Sequence, residues 1–394
     1  MSAFEAVAAA IAQLGGDAQF FDHYWDKKHG FVSSAEAGSF DHIQMVEEIG
    51  RFLDRTDIRH PSLRIVKDGI ELPVAEFTRE LRLGNHTSHD WVVNEQVFAS
   101  FNAGSTIVLQ MLQHSVPGFG LSANALERWL ESNVQLSAFI TPPDAQGFTP
   151  HYDTYGFFAI QLFGEKKWHL YDKTPQLPLR DDRDSSTPWT SVAATAELTL
   201  TPGDVLFIPR GLYHSANTSA ESSVHMTVGI FSPNWIDVLR DAIPALTNDD
   251  RVRISLSGAS SATIPGIAAC IRDGIDLENG IQRSKERIFH RHIDCRSGRL
   301  TELLEYRSKR YVAFERQPVP YIVSHGLQKT HLKFCGKELQ LPRVLRGLIE
   351  FICASKEPFD ISSLPVSDMD AESVDLLLEH LVEEGFLRSL STDS

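Results

Sequence analysis

The sequence predicts an α+β chain in which an all-β sandwich or barrel is set between helical segments. Three observations carry that reading. Residues 135–232 break into short β-branched and aromatic runs (QLSAFITPP, FFAIQLFG, KKWHLYD, AELTLTPGDVLFIPRG, VHMTVGIF), separated by Gly, Pro or Asp at regular intervals. Upstream of them, apolar residues recur at helical spacing. Helical texture returns after Pro233, and two further helices precede a short strand at the C-terminal end. At 394 residues two or three domains are expected, with bounds at 1–235, 236–312 and 313–394.

The elements follow in order. MSAFEAVAAAIAQLGG reads as an amphipathic helix over 1–14, stopped by Gly15 and Gly16, rather than a signal peptide: it has no basic leader and carries Glu5. An aromatic lead-in, FFDHYWDKKHGFV, precedes a helix over 39–57 with Ile43, Val46, Ile49, Phe52 and Leu53 on one side. SLRIVKDG and IELP predict two short strands about an Asp-Gly turn. The stretch 92–116 is mixed, and ANALERWLESNV predicts a helix over 123–134. Residues 236–310 read as helical with charged, solvated faces. Helices over 341–355 and 370–390, followed by a short strand, resemble a winged helix. Its last third is acidic, through Asp368, Asp370, Glu372, Asp375, Glu379, Glu383 and Glu384. A DNA-reading helix needs Arg and Lys, so this module is expected to face protein.

Bulk composition narrows the function classes. A net charge of −15 excludes nucleic-acid binding through a general basic face and favours encounter with a cationic partner, including a basic protein. No apolar run reaches the roughly 18 residues a membrane span requires. The four cysteines are Cys270, Cys295, Cys335 and Cys353, widely spread and without a CxxC pair. They argue against a disulfide framework and a thiolate zinc site, and for a reducing cytoplasm.

The chemistry concentrates in the β region. His-x-acid triplets arise by chance roughly twice in a chain of this composition. One of them, HID at 292–294, lies in a charged helical segment with no third ligand nearby, and His292 reads as an exposed helix histidine. HYD at 151–153 differs, because the Pro/Gly loop TPPDAQGFTP delivers it into a strand. Side chains two apart on a strand share a face, so His151 and Asp153 are expected to point into the barrel together. Downstream, TPGDVLFIPRG is a turn, a buried strand and a second turn, after which His214 opens the next strand. Two imidazoles and a carboxylate from separate strands make the facial triad of non-haem Fe(II) oxygenases. Of the adjacent Lys166 and Lys167, one must face in and the other out. A buried ammonium requires an anion, and the distal carboxylate of 2-oxoglutarate meets that need.

FFDHYWDKK, ITPPDAQGFTPHYDTYGFFAIQLFGEKKWHLYD, and LTLTPGDVLFIPRGLYHSANT with VHMTVGIF resemble the JmjC-type cupins of the ribosomal oxygenase group. These are Fe(II)/2-oxoglutarate protein hydroxylases, related to bacterial arginyl and human histidyl hydroxylases of ribosomal proteins. The resemblance implies a double-stranded β-helix (jelly-roll) catalytic domain with N-terminal helices, a helical dimerisation region and a C-terminal winged-helix-like domain. It implies that His151, Asp153 and His214 bind Fe(II) as the catalytic centre. It also implies that Lys166 holds the distal carboxylate of 2-oxoglutarate, with Lys167 outward and O2 as the other cosubstrate. The pattern departs at SAFITPP, where Ser137 and Phe139 fall at positions that hold an Asn and a Tyr in human members. Loss of the Tyr hydroxyl removes a hydrogen bond to a charged group, about 1.5–3 kcal/mol, which Thr227 or a water would replace. Ser137 and Thr227 are therefore expected beside the cosubstrate. The implied substrate is a ribosomal protein Arg or His. A peptide natural product, a small molecule or an N-methyl-lysine would be served by the same chemistry. A cytoplasmic homodimer without direct DNA binding is implied as well.

Overall fold

The Ala-rich start of the chain forms α1 (Ala3–Gln13), which buries Ala3, Ala6, Val7, Ala10 and Ile11 and ends before Gly15. The structure is a computed structural model that describes residues 3–37, 40–171, 177–182, 193–255, 257, 263–290, 313–317, 321–335, 337–365 and 370–390. Two units share the chain: residues 1–126 with 134–231, and residues 127–133 with 232–394.

In the first unit, α2 (Gly16–His23), β1 (Gly30–Val32), α3 (Ser34–Ala37) and α4 (His42–Leu53) lead into the sheets. The helix expected over 39–57 is shorter at both ends, and its start is fixed by the Asp41 carboxylate accepting the Gln44 N–H. Then come β2 (Leu63–Lys67), β3 (Ile70–Glu71), β4 (Thr78–Leu83), β5 (His86–Val92), α5 (Asn94–Asn102), β6 (Thr106–Leu109) and α6 (Pro117–Leu130). The helix expected over 123–134 thus begins earlier, because Pro117 is suited to a first helical turn. The β4–β5 hairpin was not anticipated. The remaining strands are β7 (Asn133–Thr141), β8 (Gly156–Phe163), β9 (Lys166–Leu170), β10 (Ala196–Leu200), β11 (Val205–Ile208), β12 (His214–Asn217) and β13 (Ser223–Phe231).

These strands make a large antiparallel sheet in the order β1-β11-β8-β13-β7-β6-β2-β3 and a small one in the order β10-β9-β12. Phe157 and Ala159 of β8 and Leu206 and Ile208 of β11 meet Trp168 and Leu170 of β9 and Leu200 of β10 in a shared core. The alternate residues of β8 and β11 face the other way. Phe158 and Phe207 pack on Phe20 of α2, at ring separations of 5.7 and 4.8 Å. Burial on both faces explains why GFFAIQLF is a continuous apolar run rather than an alternating one.

The second unit carries α7 (Trp235–Ala242), α8 (Ile264–Gly274) and α9 (Leu277–His290). Next come β14 (Ala313–Arg316), β15 (Tyr321–His325), β16 (Lys329–Phe334), β17 (Lys337–Pro342), α10 (Arg346–Ala354), β18 (Phe359–Asp360), α11 (Ala371–Glu383) and β19 (Leu387–Leu390). Strands β15, β16 and β17 form a meander, while β14 pairs with β18 and β19. Phe334, Leu348, Ile349, Ile352, Leu377, Leu378, Leu381 and Phe386 form its core. Two helix expectations are corrected here. The one over 341–355 starts at Arg346, since Leu341 and Pro342 complete β17. The one over 370–390 stops at Glu383, where Gly385 at φ 78° turns the chain into β19. Cys295, the HID triplet and the expected 312/313 boundary lie outside the described residues.

Phe20 is fully buried against Phe158 and Phe207 of the large sheet. Phe20→Ala is therefore expected to lower stability by about 3–5 kcal/mol, read as a fall in the urea midpoint. An unchanged midpoint would contradict this packing.

Candidate metal and cosubstrate site

His151 does not lie within a strand, as its spacing from Asp153 had suggested; β8 begins only at Gly156. It forms an isolated antiparallel bridge with His214, the first residue of β12. The His151 N–H donates to the His214 carbonyl at 3.1 Å, and the His214 N–H donates back to the His151 carbonyl at 2.8 Å. The two rings consequently stand 4.6 Å apart. Each Nδ1 lies against a backbone carbonyl two residues upstream, that of Thr149 at 2.8 Å and that of Leu212 at 2.9 Å. A carbonyl can only accept, so Nδ1 carries the proton in each ring and Nε2 keeps its lone pair.

Asp153 is held through its backbone: its carbonyl accepts the Gly211 N–H at 2.8 Å. Gly211 sits at φ 84°, which a side-chain-bearing residue would adopt only with strain. The neighbouring Arg210 makes a two-pronged ion pair with Asp26, at 2.7 and 2.8 Å, tying the Pro-Arg-Gly turn to the N-terminal aromatic segment. One donor atom each from His151, Asp153 and His214 lies within 4.8 Å of the others. Asp153 Oδ2 is 3.8 Å from His214 Nε2.

Burial, with His151 alongside, pushes the His214 imidazole down to about 3, so it is neutral and available as a ligand. Burial raises the Asp153 carboxyl, partly offset by His151, although 25% of its side chain remains exposed. The negative charge of Asp153, and burial after it, raise the Tyr155 phenol. A divalent cation among these groups would offset the burial of the carboxylate and use both free Nε2 lone pairs. Two imidazoles and one carboxylate on one side of an ion leave its other side open, the donor set suited to ferrous iron.

The turn after β8 supplies the second half of the site. Gly164, at φ 61°, brings its chain so near Ser222 that an added Cβ would lie 2.0 Å from that carbonyl oxygen. The turn passes the chain to β9, whose residues alternate between the inside and the surface. Lys167 faces out and pairs with Glu197 at 2.7 Å. Lys166 is 3% exposed, and its Nζ donates to Thr141 Oγ1 at 2.7 Å. Among the described residues no carboxylate lies within ion-pair distance of it, and burial pushes its ammonium down to about 7. A cation so placed calls for an anionic ligand.

Ser137, Phe139 and Thr141 occupy alternate positions of β7 and share its inner face. Ser137 is buried, with its Oγ 3.4 Å from the Gln135 amide nitrogen. Thr227 pairs in register with Ala159 and so faces the core between the sheets. Neither hydrogen-bonds Lys166; Thr141 has that place. Thr141 and His225 went unnoticed in the sequence. Alternation from Ser137 would have found the first. The second is distinguished by contacts alone, for its ring stacks on Phe139 at 4.8 Å and 5°. Among the described residues, His225 Nδ1, Trp168 Nε1 and Gln161 Oε1 are buried without hydrogen-bond partners, as expected of an interior shaped for a polar ligand.

Residues 119–238 match the JmjC domain family. Over 127 residues the chain is 40% identical to ribosomal oxygenase 2 of Bos taurus, covering 32% of this chain and 27% of the relative. Over 230 residues it is 26% identical to the bifunctional lysine-specific demethylase and histidyl-hydroxylase NO66 of Culex quinquefasciatus, covering 57% of this chain and 34% of that protein. The chain thus spans between about a quarter and one half of the length of these curated relatives. Among solved structures, the Escherichia coli ribosomal oxygenase YcfD in complex with cobalt and 2-oxoglutarate superposes with a TM-score of 0.54 at 17% identity, over 95% of this chain and 98% of that one. That likeness is one of fold. The chain carries a JmjC domain, and it is related in sequence to the ribosomal oxygenases.

Proposed function

We propose that this chain is an Fe(II)- and 2-oxoglutarate-dependent oxygenase that hydroxylates a protein side chain, an Arg or His of a ribosomal protein. The observation that carries the reading is the convergence of His151, Asp153 and His214 on the barrel that also buries Lys166 without a counter-charge among the described residues. In this reading His151 Nε2, His214 Nε2 and the Asp153 carboxylate hold the metal. Lys166 binds the distal carboxylate of 2-oxoglutarate, and Ser137 and Thr227 line the same pocket. When bound, Fe(II) with 2-oxoglutarate and O2 supplies an oxidative decarboxylation that yields succinate and CO2 and delivers one oxygen atom to a C–H bond. The chain's own part is positional. The two backbone carbonyls keep the imidazoles in one tautomer, Gly211 fixes Asp153, and the Phe157–Trp168–Leu206 core excludes water.

The substrate class rests on the net charge of −15, which suits a basic protein, and on the ribosomal oxygenases among its relatives. The Culex relative, a bifunctional lysine-specific demethylase and histidyl-hydroxylase, also favours a second reading, N-methyl-lysine demethylation. Formaldehyde release from methyl-lysine peptides distinguishes the two.

Residues 313–394 are read as a winged-helix-like, protein-facing module. In support, β14, α10, α11 and β19 follow one another around a common core, and α11 contains no Lys or Arg to meet a phosphate. The 236–312 region is read as a homodimer interface. Trp235, Ile236, Leu239 and Ile243 leave an apolar stripe exposed on α7 and the turn after it. No helix among the described residues is long and apolar enough to cross a membrane. Cys270 and Cys353, which form no disulfide among the described residues, fit a cytoplasmic setting.

Incubation of the iron-loaded protein with ribosomal proteins is expected to add the mass of one oxygen atom to an Arg or His side chain, and His151→Ala to abolish it. No mass gain on any ribosomal protein would discard that substrate, and undiminished succinate formation by the variant would discard the metal ligands. Binding of 2-oxoglutarate should also be linked to pH. An incoming carboxylate favours charged Lys166 and raises its pKa from about 7, so binding takes up a proton above neutrality and weakens as pH rises. Calorimetry at pH 8 in buffers of different ionisation enthalpy should detect that proton, and Lys166→Met should lose it. Equal heats in all buffers would contradict the assignment of Lys166.

A further inference from the structure

Inside the barrel, near Lys166, lies an imidazole whose ring makes no hydrogen bond to any described residue. His225 of β13 is 4% exposed, and its Nδ1 is buried without a partner. Two neighbours hold the ring. Phe139, on the adjacent strand β7, lies parallel to it at 4.8 Å and 5°. Trp168, on β9 of the facing sheet, meets it edge-on at 5.4 Å and 78°. Two positions along each of those strands, on the same faces, stand Thr141 and Lys166, themselves joined at 2.7 Å. Phe139, Thr141, Lys166 and Trp168 therefore frame His225 as one wall of the pocket.

Burial, and the Lys166 charge after it, hold the imidazole well below its ordinary pKa and so neutral, with one N–H to donate. Core histidines of this burial are normally hydrogen-bonded. Here the ring is fixed by stacking, while its polar edge is left for something else. Phe139, on the neighbouring strand, supplies the flat surface that fixes the plane of the ring.

We propose that His225 is a second anchor for the distal carboxylate of the cosubstrate, donating an imidazole N–H to that group beside the Lys166 ammonium. The inference rests on the cosubstrate reading above and adds to it a residue that no spacing rule selects. It also gives Phe139 a positioning role, since the stack sets the plane of the donor.

The test compares two keto-acids that share the metal-chelating end. 2-Oxoglutarate has the distal carboxylate and 2-oxobutyrate lacks it. Their affinities are measured by calorimetry on the Mn(II)-loaded full chain, without turnover. His225→Phe keeps a stacking ring and removes both nitrogens. It is expected to weaken 2-oxoglutarate roughly ten- to a hundredfold, the usual effect of losing a hydrogen bond to a charge, and to leave 2-oxobutyrate unchanged. Adding Phe139→Tyr to that variant should restore part of the loss by placing a hydroxyl donor beside the vacated position. If His225→Phe does not fold, His225→Leu carries the same comparison. Equal losses for both keto-acids, or no loss for either, would overturn the role of His225 alone. A wild-type protein that binds the two keto-acids equally would overturn the cosubstrate reading itself.

Discussion

Two hydrogen bonds between the backbones of His151 and His214 are the constraint on which the candidate site depends. A hydrogen-bonded antiparallel pair sets its Cα atoms about 5.5 Å apart with both side chains on one face. The bridge thereby brings together two imidazoles that are 63 residues apart in sequence (214 minus 151) and aims them alike. Rotation of each ring is then limited by its own upstream carbonyl. Gly211 hangs Asp153 from the same turn that Arg210 ties to Asp26. The three donor atoms are thus positioned largely by main-chain bonds, which shift little when a ligand enters.

The other half of the site is placed by side-chain alternation. Outward Lys167 and inward Lys166 follow from one strand leaving the Gly164 turn in a fixed register with β10 and β12. Burying Lys166 with a single hydroxyl partner opposes folding, and so does leaving the edges of His225 and Trp168 unbonded. The double-faced aromatic packing of β8 and β11 offsets these costs, since Phe158 and Phe207 lock the large sheet to α2 from behind. Strained, under-bonded groups on a rigid scaffold are the usual mark of a site built for a ligand.

Legibility in the sequence followed physical range. His151, Asp153 and His214 stood out because turn residues on either side fixed where strands begin, and the Lys pair because alternation forces one inward. The route to the geometry was misread, however. HYD looked like the start of a strand, whereas a lone bridge to His214 does the work, and a bridge depends on a partner far along the chain. His225 was missed for the same reason, since its importance lies in what it meets across strands, whereas Thr141 was within reach of simple alternation from Ser137. Helix ends at Arg346 and Glu383 were misplaced where a strand lies only a short turn from the helix and apolar spacing runs through the junction. The β4–β5 hairpin carried a Gly-Asn pair at 84–85 between polar strands with little alternation, a weak signal for pairing.

The account reduces to whether those two imidazoles and one carboxylate grip ferrous iron in a way that leaves room for a chelating keto-acid. Anaerobic titration of the Fe(II)-loaded protein with 2-oxoglutarate, followed by visible charge-transfer absorption, addresses it most directly. A single band that saturates at one iron per chain, and that disappears in Asp153→Ala, is predicted. A wild-type protein that develops no band, or an Asp153→Ala protein that develops it in full, would contradict the account.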